Sequence, residues 1–251
     1  VIENLSGREK QILQHLTEDP SISVQELSKH LGVSVVTIRT DLKNLAARGV
    51  VTRTHGGALP AFHKNILDRQ AVRGEEKNRI ARAAADMVQD GDTIMIVAGT
   101  TTALIPKYLL GKGHIHIVTD STLLFPAVRA NPALSLTVTG GEFRTSSESF
   151  IGPLAIETVQ RFNVKLAFIS ADGFSLERGL TTQLVEGGEM VKAMAAHADK
   201  SVLLADSSKY GRSGFVTIMP LKAVDALITD TEFNQATADL LREEGIEVLL
   251  V

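Results

Sequence analysis

Residues 24–58 read VQELSKHLGVSVVTIRTDLKNLAARGVVTRTHGGA, and the punctuation of this stretch sets the front of the chain. Ser23 followed three residues on by Glu26 is a capping box, and Val24, Leu27 and Leu31 form an apolar stripe behind it. Gly32 ends that helix and makes a tight turn. Ser34 starts another, with Ile38, Leu42 and Leu45 on its buried face, and Gly49 closes it. β-Branched residues before Gly56 and Gly57 read as a short hairpin. Upstream, Ser6 and Glu9 form a further capping box, Ile12, Leu13 and Leu16 share one face, and Asp19-Pro20 stops the helix. Residues 1–58 are therefore expected to be three short helices and a hairpin, a winged helix-turn-helix domain.

Such a domain reads DNA with its third helix in the major groove. The candidates there are Ser34, Val35, Thr37, Arg39, Thr40 and Lys43. Val35 leans toward the core side, while Thr37 and Arg39 sit on the flank. Arg39 is the leading candidate for a base or phosphate contact, and Thr37 suits a thymine methyl or a phosphate. In the hairpin, Arg53, Thr54 and His55 are placed to reach a phosphate or the minor groove. Asp41 reads as an intramolecular partner for an arginine. The competing reading is a small helical bundle for protein contact. The spread of Arg39, Lys43, Arg48 and Arg53 argues against it. Residues 31–64 hold five basic groups and one acid, in a chain whose net charge is −3.

The quoted stretch resembles the N-terminal signature of the DeoR family of bacterial transcription regulators. It keeps Ser34, Thr37, Ile38, Arg39, Asp41, Leu42, Leu45, Gly49, Arg53, His55, Gly56 and Gly57 of that pattern. It departs at Thr40, where the family usually has a second arginine.

Residues 59–75, with Pro60 and Gly74, read as an irregular linker. EEKNRIARAAADMV then resumes helical spacing. Beyond Asp90, the apolar runs TIMIV, IHIVT, LSLTVTG, KLAFISA, SVLLAD and DALITD are six strand candidates, and EVLLV is a seventh. They alternate with the helical patterns TTALIPKYLL, STLLFPAVRAN, LAIETVQRF, EMVKAMAAHA and NQATADLLREEG. Short, continuous apolar strands suit a sheet buried on both faces. The expected fold class is α/β: the winged helix-turn-helix, then an α/β domain over 76–251 with a largely parallel sheet.

In IMIVAGTTTALI an apolar strand enters a loop at Gly99, Thr100, Thr101 and Thr102 and leaves into a helix. Backbone amides, hydroxyls and a helix N-terminus then converge on one point, which suits a phosphate oxygen. The loop is neither a Walker loop nor GxGxxG, so a dinucleotide is disfavoured. Further polar and glycine clusters follow strand ends, where open α/β sheets bind ligands. They include Asp120, Gly141 with Arg144, Asp172, Thr181 and Lys209. Arg144 and Lys209 supply positive charge for a phosphate, and Asp120, Asp172 and Glu186 accept sugar hydroxyls.

This body resembles the DeoR-type sensor domain, which is similar in fold to ribose-5-phosphate isomerase. The matching pieces are GTTT at 99–102, TGG with Arg144, Ser149 with Gly152, Asp172-Gly173, GLTT at 179–182, Glu186, Glu189 and DSSKYG at 206–211. The resemblance implies a phosphorylated sugar or polyol as inducer. Val97, Asp120, Leu184 and Gly187 depart from the family's usual aspartate, asparagine, asparagine and acid, which points to altered reading of sugar hydroxyls. The isomerase expects an acidic pair after its Asp-Gly, as in DGADE, whereas this chain has DGFSL. Binding without turnover is expected, and the alternative is an isomerase-like enzyme carrying a DNA-binding domain.

Composition sets outer bounds. The 251 residues are 44% apolar and 22% charged, so a folded core is expected. Cysteine is absent, which removes disulfides, thiol catalysis and cysteine zinc sites. His114 and His116 share a strand face without a third ligand in view, so no metal and no cofactor is expected. No apolar run reaches membrane length, and no signal-peptide core opens the chain. The combined expectation is a cytoplasmic repressor that binds double-stranded operator DNA as a homodimer or homotetramer.

Overall fold

The fold comes from a computed structural model, which describes residues 5–54 and 56–251. The chain divides into two compact units, Val1–Val72 and Arg73–Val251.

The first unit contains α1 (Gly7–Glu18), α2 (Val24–Leu31), α3 (Val35–Ala47), the antiparallel pair β1 (Val51–Thr54) and β2 (Gly57–Pro60), and α4 (Lys64–Ala71). Both capping boxes form. The Ser6 hydroxyl accepts from the Glu9 amide while the Glu9 carboxylate accepts from the Ser6 amide, and Ser23 and Glu26 repeat the exchange. Gly32 takes the left-handed conformation (φ 64°) that ends α2 and turns the chain toward α3. Ile12, Leu16, Leu27, Ile38, Leu42 and Leu45 are completely buried. Each contributes about 1.5–3 kcal/mol by leaving water.

The stretch expected to be an irregular linker is largely ordered. Residues 59 and 60 complete β2, and α4 occupies Lys64–Ala71. Ile66 and Leu67 are buried, and Leu67 joins the core of this unit. The helix escapes a search for Ser, Thr, Asp or Asn caps because His63 caps it, through Nδ1 accepting from the Asn65 amide.

The second unit is built on a seven-stranded parallel sheet. Its elements begin with α5 (Gly74–Asp86), β3 (Thr93–Ile96), β4 (Ile115–Thr119), α6 (Phe125–Ala130) and β5 (Leu134–Val138). A hairpin of β6 (Glu142–Arg144) and β7 (Ser149–Ile151) follows, then α7 (Pro153–Val159) and β8 (Val164–Ile169). The remainder is β9 (Gly173–Ser175), β10 (Gly179–Thr182), α8 (Val185–Ala196), β11 (Ala198–Leu204), β12 (Val216–Met219), β13 (Ala226–Thr229), α9 (Gln235–Glu243) and β14 (Glu247–Leu250).

The seven strand candidates supply the seven strands of this sheet, in the order β14-β13-β11-β8-β3-β4-β5. Alternate side chains face two separate cores. Met95, Ala167 and Leu203 pack with α8 and α9, while Ile94, Ile96, Phe168 and Val202 pack with α5. Burial on both faces is why these strands read as continuous apolar runs. Strands β3, β4 and β5 step outward one way, and β8, β11, β13 and β14 step outward the other way. The winding therefore reverses between β3 and β8, and open α/β sheets bind ligands at such a reversal, beyond the carboxyl ends of the strands.

Two local expectations are corrected. TTALIPKYLL forms a 3₁₀ helix over Thr102–Tyr108 rather than an α-helix, with Pro106 inside it lacking the amide an α-helical ladder requires. GLTT at 179–182, read as a polar loop cluster, is β10, the central strand of a small antiparallel sheet with β9 and β12.

Candidate functional site

In the first unit α3 buries Ile38, Leu42 and Leu45, and with them Asp41. The Arg8 guanidinium grips that carboxylate with two bonds, Nε to Oδ2 at 2.6 Å and Nη2 to Oδ1 at 3.1 Å. Asp41 thus ties α3 to α1 instead of facing outward. The opposite face exposes Val36, Arg39, Thr40 and Lys43. At its start, Ser34 Oγ accepts from the Thr37 amide at 3.1 Å and shares a hydrogen bond with Thr37 Oγ1 at 2.9 Å. Val35 and Thr37 are half-buried. Arg53 on β1 donates from Nη1 to the Arg39 carbonyl at 3.4 Å, which brings the hairpin beside α3. Thr54 is exposed at the end of β1, and His55 lies outside the described residues. Sequence reasoning named Val35, which is half-buried, and missed its neighbour Val36, 71% exposed on this face.

In the second unit the loop after β3 and the chain after β8 meet at the reversal of the sheet. A Cβ on Gly99 would lie 2.8 Å from both Ser170 Oγ and Thr102 Oγ1, so only glycine passes there. Among the described residues, the amides of Gly99, Thr100 and Thr101 donate to no protein acceptor. Thr100 and Thr101 are largely buried residues, and their hydroxyls have no protein partner there either. Thr102 differs: its hydroxyl is spent on the carbonyls of Val97 (2.7 Å) and Gly99 (3.1 Å), so it braces the loop. Asp120, at the end of neighbouring β4, accepts from the Ala98 amide at 2.7 Å. Burial pushes its carboxyl up to about 7, against the opposing pull of that amide.

The other expected effector residues stand around this edge in different states. Arg144 and Glu186 hold each other in a bidentate pair at 2.8 and 3.3 Å, and the Arg144 bond keeps the Glu186 carboxyl below its ordinary value. Asp172 accepts from Thr182 Oγ1 at 3.0 Å and the Gln183 amide at 2.9 Å. Thr181 is turned inward, donating to the Gly173 carbonyl and accepting from the Gly214 amide. Gly141 is packed so that a Cβ would lie 2.5 Å from the Ile151 carbonyl. Lys209 closes a 3₁₀ turn, Ser207–Lys209, beyond β11. The sheet order β11-β8-β3-β4 makes these strand ends neighbours, which gathers Lys209, Asp172, the Gly99 loop and Asp120 along one edge. The edge also holds Arg73, which sequence reasoning passed over: it bonds Ser207, Asp230 and Glu232.

A winged helix-turn-helix with a cationic outer face on its third helix, in one chain with a parallel α/β unit carrying a polar edge at its winding reversal, defines a class. It is the helix-turn-helix regulator with a sensor unit. The DeoR-like helix-turn-helix domain matches residues 8–61, and the DeoR C terminal sensor domain matches residues 72–231. The chain belongs to the DeoR family of transcriptional regulators. It is 34% identical over 246 residues to the HTH-type transcriptional repressor CsqR of Escherichia coli K12, covering 97% of this chain and 94% of that one. It is 31% identical over 252 residues to the putative aga operon transcriptional repressor of Escherichia coli O157:H7, covering 98% and 94%. Ribose 5-phosphate isomerase A from Methanocaldococcus jannaschii aligns at 18% identity over 55% of this chain and 54% of that one, with a TM-score of 0.40. Among the described residues no helix is long and apolar enough to cross a membrane, and no cluster of His, Asp and Glu is arranged to hold a metal.

Proposed function

We propose that this chain is a cytoplasmic repressor of carbohydrate-metabolism genes whose grip on operator DNA is set by a phosphorylated sugar or polyol. The carrying observation is the loop at the winding reversal, where the Gly99, Thr100 and Thr101 amides and the hydroxyls of Thr100 and Thr101 stand without protein partners among the described residues. Amides gathered in one loop favour an anion. Asp120, after β4, and Asp172, after β8, stand on either side of the β3 loop as acceptors for sugar hydroxyls. Arg144 is already neutralised by Glu186, so its charge becomes available to a phosphate only if that pair opens. The ligand is bound and not turned over. Phe174 and Ser175, which follow Asp172-Gly173, are buried in β9 and bring no acidic pair to the edge. Two-fold operators call for a homodimer or homotetramer.

A thermal-shift panel tests the reading, with each phosphorylated sugar or polyol beside its unphosphorylated parent. A ligand at about a hundred times its dissociation constant adds roughly 2.7 kcal/mol. That raises the melting temperature by about 5–10 °C. One phosphate raising it while its parent does not is the expected result. A flat panel, or conversion of the ligand to product, overturns the proposal. Thr101→Ala is expected to shrink the rise while leaving effector-free operator binding intact.

The DNA side has its own check. Arg39→Ala is expected to weaken operator binding by roughly 1–3 kcal/mol and to relax one position of the site. Wild-type affinity should also fall steeply from low to moderate salt. Unchanged affinity in the variant removes Arg39 from the interface.

A further inference from the structure

The outer face of α3 is not uniformly polar. Val36, in the first turn, is 71% exposed. A single exposed valine is ordinary on a protein surface. This one stands where a recognition helix meets base edges, since the N-terminal residues of that helix make those contacts. Thr40 is one helical turn on, so the two side chains are neighbours. The Thr40 hydroxyl donates to the Val36 carbonyl at 3.0 Å. With that donor spent on the backbone, Thr40 has only an acceptor oxygen and its γ-methyl left to offer a partner. The hydroxyls of Ser34 and Thr37 are likewise engaged with each other. The face therefore presents a small apolar patch flanked by the exposed cations Arg39 and Lys43.

The flanking cations suit phosphates, so the patch would be held against bases. Among the groups a base pair shows in the major groove, the thymine 5-methyl is the one apolar feature. Resting on the regulator reading above, we propose that Val36, with the Thr40 γ-methyl beside it, reads a thymine methyl at one fixed position of the operator. Val36 is then a specificity-determining residue, and the threonine at position 40 belongs to the same contact.

The test removes one methyl at a time. Full-length protein selects its sites from a randomised duplex pool, and the selected operator is remade with deoxyuridine replacing each thymidine in turn. One replacement is expected to weaken wild-type binding by roughly three- to tenfold, the scale of one or two buried methyl groups. Val36→Ala should discriminate the thymidine and deoxyuridine forms of that position much less than the wild type does, with the Thr40 γ-methyl keeping the remainder. Its salt dependence should match the wild type, since no phosphate contact is lost. Its melting temperature should be unchanged, because Val36 is exposed. Wild-type indifference to every deoxyuridine overturns the assignment, as does a Val36→Ala variant that senses the same methyl as strongly as the wild type does. Selection of no site at all overturns the DNA-reading function itself, and the assignment with it.

Discussion

Arg73→Ala is expected to lower the melting temperature of the second unit by about 6–12 °C. The arginine is the unit's first residue and stands in the left-handed region (φ 55°) ahead of α5. Its Nη2 donates to Glu232 at 2.7 Å, to Asp230 Oδ1 at 3.2 Å and to Ser207 Oγ at 3.2 Å. Glu76 lies 3.4 Å and Asp206 3.5 Å from the same guanidinium. Asp230 is completely buried and Asp206 almost so. Burial by itself would raise the Asp230 carboxyl. The Ser207 amide and hydroxyl, the Glu232 amide and Arg73 together hold it below its ordinary value. Removing the cation leaves two buried carboxylates with their hydrogen bonds but without this ion-pair partner, which costs about 3 kcal/mol. For a unit of this size each kcal/mol shifts the midpoint by about 2–4 °C. Arg73→Lys should recover part of the loss, because one ammonium cannot reproduce the fork that serves several acceptors. Calorimetry of both variants decides the matter, and a shift below about 2 °C for the alanine variant would falsify the account. Asp206 and Ser207 also open the turn that carries Lys209, so these pairings tie the unit's entry residue to the proposed effector edge.

The same residue shows where reading the sequence stops. The seven strands of the parallel sheet were legible because both faces are buried, which leaves unbroken apolar runs such as TIMIV and SVLLAD. The helices of the first unit were legible because their capping boxes are local, three residues apart. Strands β9 and β10 were not, since Gly173–Ser175 and Gly179–Thr182 are too short and too rich in small residues to show a period of two. Partnerships across the chain were also hidden. Arg144 and Glu186 each looked like an effector ligand, but 42 residues apart in sequence they fold into one ion pair. Thr102 looked like part of a hydroxyl cradle and proved to brace it. Arg73 sat in what read as a linker, and nothing local announced acidic partners more than 130 residues away.

Asp120→Asn is expected to stabilise the second unit at pH 8 and to do nothing at pH 4. The carboxyl is 3% exposed, and among the described residues no Lys, Arg or His lies within ion-pair distance of it. Burial raises it to about 7, so between about pH 4 and pH 7 the folded state holds a proton that the unfolded state has released. Stability therefore falls as pH rises through that window and levels off above it. The gap between about 7 and the ordinary carboxyl range corresponds to about 2–4 kcal/mol. Asparagine keeps a carbonyl oxygen for the Ala98 amide, now met at 2.7 Å, and carries no charge to bury. The two melting curves should thus coincide at pH 4 and separate by about 4–12 °C at pH 8. Titrations of melting temperature for both proteins from pH 4 to pH 8 give the answer, and parallel curves would show that Asp120 ionises as freely folded as unfolded. The consequence for binding follows from the same proton. Above pH 7 an anionic Asp120 sits against the loop proposed to receive a phosphate, so wild-type affinity for an anionic ligand there should weaken with rising pH. In Asp120→Asn, with no charge to appear, that weakening should be lost.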